Sequence, residues 1–144
     1  MPKFPLHFEV VAQTEAGIST TWDSSVNGLP KITCSIPAEF SGPGGAYSPE
    51  DLFGLALLNC FIATFKVYCE KSNLTFTKLD AKSKIRMEID ATTNKMHISE
   101  IQTDFNIEGA SNPEKVKSVL DKSIADCAIS NSIKSGKNFS INIS

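Results

Sequence analysis

The order of elements in this chain predicts an α+β fold with a mostly antiparallel sheet and two buried helices. Three observations carry that expectation. Strand-like runs follow one another instead of alternating singly with helices. One helical stretch, 52 to 69, has fourteen apolar residues in eighteen, spread over every face; a helix of that kind is a buried central helix or a membrane span. A second stretch, from Val116 to Cys127, repeats apolar residues at three- and four-residue spacing, which makes one buried stripe. No internal repeat or long linker divides the chain, so 1–144 reads as a single domain.

Residues 6 to 36 read as short strands. Phe8, Val10 and Ala12 alternate with polar neighbours, and Gly17 permits a turn. Ile18, Thr20 and Trp22 resume the alternation, Val26-Asn27-Gly28 makes a second turn, and Ile32, Cys34 and Ile36 form a third strand that Pro37 ends. The glycine-rich segment 41 to 47 is a loop by composition. No Lys-Ser/Thr follows it, so a flexible loop is the better reading than a phosphate cradle. Ser48-Pro49-Glu50-Asp51 then opens the apolar helix, with a serine cap, proline at the first helical position and acids in the first turn.

Residues 75 to 90 and 96 to 108 read as a long hairpin around Thr93-Asn94-Lys95. Leu79, Ala81, Ile85, Met87 and Ile89 share one face of its first strand. In the second strand Met96 and Ile98 share a face, but the apolar pattern restarts at Ile101, Phe105 and Ile107. That slip of one residue predicts a β-bulge near Ser99-Glu100, because without one the side chains would change face. Asn112-Pro113-Glu114 caps the second helix, and Asn138 to Ile143 alternates as a final strand. Two such apolar helices over one modest sheet leave much apolar surface, which a dimer covers more easily than a monomer.

Composition excludes several function classes. Hydrophobic residues make up 41% of the chain, charged residues 21%, and the net charge is −2. There is no electrostatic footprint for nucleic acid or an anionic membrane. The apolar helix has no second span beside it, and Asn59, Thr64 and Lys66 interrupt it, so no membrane partner is expected. The N-terminus lacks the apolar core and small-residue cleavage site of a signal peptide. A cytoplasmic location is therefore expected, where thiols stay reduced unless they do redox work. The four cysteines have no C-x-x-C spacing and the chain has two histidines, His7 and His97, so no metal or other cofactor is expected.

The cysteines carry the chemistry. Packing is the commoner role of a free cysteine. Cys34, between Ile32 and Ile36, and Cys69, half a turn round the helix from Cys60, read as core thiols. Cys60 differs: Asn59 is beside it, Glu50 stands ten residues upstream, and Cys127 offers a second thiol at the end of another buried stripe. A thiolate attacks a peroxide oxygen and becomes a sulfenic acid, and a second cysteine then condenses with it to a disulfide. Apolar walls favour organic hydroperoxides, and they raise a thiol's pKa unless a cation or N–H donor opposes them. The start of a short helix after Cys127, with Ser130 and Ser132, would supply such N–H groups. Glu50 lies about 15 Å along a straight helix from Cys60, so a catalytic role for it needs an intermediary cation or a partner subunit.

These residues resemble the OsmC/Ohr family of osmotically inducible and organic hydroperoxide resistance proteins. The resemblance rests on Ser48-Pro49-Glu50-Asp51-Leu52-Phe53 followed by Cys60-Phe61, on the glycine-rich loop before them, and on Cys127 with Ser130. It implies an OsmC-like fold in an intertwined homodimer, Cys60 as the peroxide-reacting thiol, Cys127 as the resolving thiol, and Glu50 in the polar network that orients the thiolate. It also implies reduction by a dithiol such as dihydrolipoamide. Two positions depart from the family's pattern. The expected arginine of the N-terminal strands is missing from 1 to 40, where Thr20 or Thr21 stands in its place. Arg86 is the only arginine beside thirteen lysines. Lys3 and Lys31 carry charge but not a guanidinium's planar fork. Ala128 replaces the proline after the second cysteine.

The leading expectation is therefore a thiol peroxidase for organic hydroperoxides working through a Cys60–Cys127 disulfide. The alternative is a noncatalytic OsmC-like dimer that binds a small hydrophobic ligand, which the missing arginine favours. A hydrolase is disfavoured for want of a base near Cys60.

Overall fold

The computed structural model describes residues 2–144 and divides into two compact units, 1–52 and 53–144. The first unit carries a three-stranded antiparallel sheet in the order β1 (Val11–Gln13), β2 (Trp22–Ser25), β3 (Ile32–Cys34). Both expected turns form, with Thr20 N–H donating to the Gly17 carbonyl at 3.1 Å and Leu29 N–H to that of Val26 at 3.0 Å. The strands are shorter than the alternation suggested. Ile18 and Thr20 belong to the turn region, and Phe8 and Val10 lie outside the sheet, highly exposed. The glycine-rich loop returns to the sheet at Tyr47, which bridges in parallel to Cys34. Ser35 Oγ donates to the Gly44 carbonyl at 3.1 Å.

The long helix α1 (Pro49–Lys71) starts as its sequence demands. Ser48 Oγ accepts from Asp51 N–H, and Asp51 Oδ2 accepts from Ser48 N–H, both at 3.0 Å. This reciprocal pair satisfies two donors that a helix start leaves open. Its other end closes on Asn73, at φ 54°. Leu74 N–H donates to the Cys69 carbonyl at 2.9 Å and Asn73 N–H to that of Glu70 at 3.2 Å, the paired bonds of a left-handed helix stop.

The second unit holds a three-stranded sheet in the order β4 (Lys78–Ile89), β5 (Met96–Glu108), β6 (Gly136–Ile143). β4 and β5 form the expected antiparallel hairpin. Arg86 pairs with Glu100 and Met87 with Ile98, leaving Ser99 as the extra residue of a bulge at the place the apolar slip indicated. β6 pairs with β5 in parallel. The pairing is mostly antiparallel, as expected, but the single sheet is corrected to two, one antiparallel and one mixed. A parallel return requires a crossover, which α2 (Pro113–Asp126) supplies between β5 and β6. The Asn112 side chain caps α2 by accepting from Lys115 N–H at 3.1 Å.

One buried cluster joins these elements: Leu57, Phe61, Phe65 and Cys69 from α1, Ile101, Phe105 and Ile107 from β5, and Val116, Leu120 and Cys127 from α2 and its end. Phe61 meets Phe105 and Phe139 edge to face, with centroids 5.9 and 5.6 Å away. Each such pair adds about 0.5–1.5 kcal/mol beyond area burial.

The expectation of two buried helices needs correction. α1 buries only the stripe Gly54, Leu57, Phe61, Phe65 and Cys69, while Leu55 and Val67 stay 41% and 50% exposed. An all-round apolar helix has more greasy faces than one three-stranded sheet and one other helix can cover. By length and composition α1 is also long enough to cross a bilayer.

Candidate functional site: a buried thiol facing a half-buried one

Cys60 sits in the middle of α1, half-buried and packed against the core cluster. It lies directly before Phe61, so the ring that anchors α1 in the core also fixes the azimuth of Cys60. Cys127 ends α2 in an extended conformation and is fully buried. The chain turns sharply after it. Asn131 N–H donates to the Cys127 carbonyl at 3.0 Å, the Asn131 side chain to that of Ala125 at 3.0 Å, and Ser132 Oγ to that of Ala128 at 2.8 Å. These local bonds hold the turn without the proline at 128.

The turn aims two backbone amides at the Cys127 sulfur, with Ser130 N–H at 3.4 Å and Ile129 N–H beside it. The third group acting on that thiol is the Cys60 thiol. Thus the structure brings Cys60 and Cys127 together from elements far apart in sequence. Both are free thiols.

Burial pushes the Cys127 thiol up from its ordinary 9.0 to about 11, and the neighbouring Cys60 thiol adds to this. The amides of Ser130 and Ile129 pull the other way, but two neutral dipoles do not offset the loss of water. Cys127 therefore stays protonated near neutral pH.

This has a consequence for stability. A folded value above the unfolded one means the folded chain holds its proton longer. The contribution is fully present below about 9 and is lost as pH climbs toward about 11. Urea melts across that range should show wild type losing up to about 2–3 kcal/mol more than Cys127→Ser. Parallel profiles for the two proteins would contradict the burial of this thiol.

A tether outside the core holds the two helices together. Tyr68 Oη donates to Asp126 Oδ2 at 2.6 Å, and Lys122 Nζ lies 3.6 Å from the same carboxylate and 4.8 Å from the Tyr68 ring centre. The hydrogen bond from Tyr68, with Lys122 behind it, holds the Asp126 carboxyl below the usual range. Asp126 directly precedes Cys127, so this clamp fixes the end of α2 against α1. Sequence reasoning passed over Tyr68 and Asp126, although each lies on the same helix as one of the thiols. It also missed Ser123, buried between Leu120 and Cys127 at helical spacing.

The remaining candidates fall elsewhere. Cys34 and Cys69 are buried core thiols, and burial pushes the Cys69 thiol up. Asn59 turns its amide back to the Leu55 carbonyl of its own helix at 2.8 Å. Glu50 occupies the first turn of α1, and its Oε2 is buried without a hydrogen-bond partner among the described residues. Arg86 is bound on the sheet surface to Glu88 at 2.6 Å and Glu100 at 3.6 Å, 62% exposed.

An α+β unit that brings a thiol in mid-helix beside one at another helix's end defines a class of protein, and comparison with known proteins supplies the family. The sequence model of the family described as OsmC-like protein matches residues 42–142. This chain belongs to the OsmC-like family. Similar solved structures include an OsmC-like protein of unknown function from Vibrio cholerae, with a TM-score of 0.80 and 15% identity over 95% of this chain and 99% of that one. An organic hydroperoxide resistance protein OsmC from Legionella pneumophila has a TM-score of 0.72 and 20% identity over 97% and 99%. The organic hydroperoxide resistance protein OhrB of Bacillus subtilis has a TM-score of 0.69 and 14% identity over 95% and 98%. At such identities these structures share the fold. No curated protein matches the chain.

Proposed function

We propose that this protein is a cysteine-based peroxidase that reduces organic hydroperoxides through a Cys60–Cys127 disulfide, in defence against oxidative stress in the cytoplasm. The observation that carries this reading is the pair of neighbouring free thiols from distant parts of the chain, one half-buried and one fully buried. The accessible Cys60 is the thiol that meets substrate. Its thiolate attacks the distal peroxide oxygen, the O–O bond breaks, and the alcohol leaves after taking a proton from water. Cys60 becomes a sulfenic acid. The Cys127 sulfur then displaces the sulfenic oxygen as water, giving the disulfide. A dithiol of the dihydrolipoamide type returns both cysteines to thiols and is itself oxidised to a disulfide. Cys60 packs against an apolar cluster, which suits an alkyl substituent on the peroxide.

Steady-state consumption of cumene hydroperoxide with a dithiol tests this. Turnover that requires both enzyme and dithiol is expected, and it should exceed that with hydrogen peroxide. No consumption above the protein-free rate would end the reading.

A homodimer is part of the same proposal. Phe8 and Val10 are 89% and 77% exposed, and α1 shows Leu55 and Val67 to solvent. Monomers rarely leave so much apolar surface open. Glu50, with a buried oxygen unpartnered among the described residues, also calls for a donor from another chain. Sedimentation equilibrium at micromolar concentration should return twice the chain mass, and a monomer would contradict it.

One observation favours the noncatalytic reading. Val10, Val11, Val26, Leu29, Ile32 and Leu52 help line an apolar groove of about 520 Å³ in the first unit, the kind of surface that takes a small hydrophobic ligand. Ligand binding with no peroxide consumption would select that reading.

A further inference from the structure

Two thiols form a disulfide readily only when their backbones are held at bonding range, and whatever fixes one cysteine against the other raises the effective concentration at which they meet. Cys60 is fixed within the 23 residues of α1. Cys127 has less support. It lies one residue past the end of α2, extended at φ −66° and ψ 114°, and Ala128 after it leaves free a φ that proline would lock. One apolar cluster takes in both thiols, but apolar contacts have no direction. The bonds from Asn131 to Ala125 and from Ser132 to Ala128 tie the turn to the end of α2, not to α1.

Among the described residues one side-chain hydrogen bond joins α1 to α2, and it falls beside Cys127. Tyr68 Oη donates to Asp126 Oδ2 at 2.6 Å, and Asp126 is the last residue of α2. Tyr68 follows Cys60 on the same helix, about 12 Å along its axis. The length is that of a charge-assisted bond, about twice as strong as a neutral one. Lys122 sits 3.6 Å from the same carboxylate and 4.8 Å from the Tyr68 ring centre. Three groups therefore hold one another where an isolated exposed pair would be weak.

We propose that Tyr68 and Asp126 are positioning residues for the Cys60–Cys127 disulfide: their bond holds the end of α2 against α1 and so sets how readily the thiol pair oxidises. This deepens the peroxidase reading, naming what tunes the redox poise of that site, and it rests on that reading's disulfide. Both residues act through the backbone at 126–127. With that backbone ordered before oxidation begins, closure of the disulfide loses less entropy.

Equilibration with glutathione tests this without peroxide. The protein dithiol gives two electrons to oxidised glutathione, forming one protein disulfide and two glutathione thiols. Acid quench, alkylation and peptide mass spectrometry quantify the Cys60–Cys127 disulfide over a series of glutathione ratios. Wild type, Tyr68→Phe, Asp126→Ala and the double variant are compared. Tyr68→Phe loses only the hydroxyl and keeps the ring beside Lys122. Its equilibrium constant for oxidation should fall about fivefold, a rise in reduction potential of about 20 mV. Asp126→Ala should fall at least as far, and the double variant no further than Asp126→Ala, because both changes remove one bond.

A tether that only adds stability weakens the reduced and oxidised protein alike and leaves the potential unmoved. Variant potentials equal to or below that of wild type, or losses that add in the double variant, would overturn the proposal and leave the peroxidase reading standing. The expected shifts without turnover of cumene hydroperoxide would end the peroxidase reading alone. Absence of a Cys60–Cys127 disulfide in wild type at every ratio would overturn both.

Discussion

Replacing Cys60 with serine is expected to reduce organic hydroperoxide consumption to background, a loss of at least roughly a thousandfold, because a serine hydroxyl stays protonated and is a poor nucleophile without a base. Cys60 is only half-buried, and serine is close to it in size, so the variant should fold as wild type does. Cys127→Ser should behave differently. It keeps the reacting thiol, so one equivalent of hydroperoxide is still consumed in a rapid first turnover. Turnover then stops at the sulfenic acid, which a dimedone probe should trap and excess peroxide should carry on to the sulfinic acid. Stopped-flow consumption with mass analysis of the products reads both variants. Equal steady-state rates for wild type and Cys60→Ser would contradict the assignment.

Truncating Phe61 to alanine is expected to be the most costly single change to stability, about 3–5 kcal/mol. The ring is fully buried and packs edge to face on Phe105 and Phe139. Three elements lose a shared contact at once: α1, β5 and β6. The denaturant midpoint should fall with little change in slope, since the surface exposed on unfolding barely alters. The same variant should slow formation of the disulfide, because Phe61 sets the rotation of α1 that points Cys60 toward Cys127. A loss under about 1 kcal/mol, with unchanged oxidation kinetics, would mean that this ring does not anchor the site.

The features legible in the sequence were those written in local chemistry. Ser48 and Asp51, and Asn112 with Pro113, announce their helices through caps whose partners lie three residues away. The bulge at Ser99 was legible because a β-strand's side chains alternate strictly, so a slip in the apolar pattern has one geometric cure. Long-range pairing was less accessible. The alternation from 138 to 143 marks a strand but says nothing of its direction, and its parallel pairing to β5 follows from the crossover through α2. The degree to which α1 is covered was also hidden, since an apolar face does not name the surface that meets it.

At the site, both thiols were marked by their apolar stripes and by the family resemblance, as was the support of a helix start after Cys127. The Tyr68–Asp126 tether was not, because it links positions 58 residues apart and each residue alone resembles an ordinary surface side chain. Among the four cysteines, burial does not separate roles by itself, for Cys34, Cys69 and Cys127 are all buried. What distinguishes Cys127 is its neighbour.

The most direct test is peptide mapping of wild-type protein after one equivalent of cumene hydroperoxide, with free thiols blocked before digestion. A peptide pair joined through Cys60 and Cys127, with Cys34 and Cys69 still free, is the predicted result. Recovery of Cys60 and Cys127 as unmodified thiols, or joined to other partners, would contradict the account.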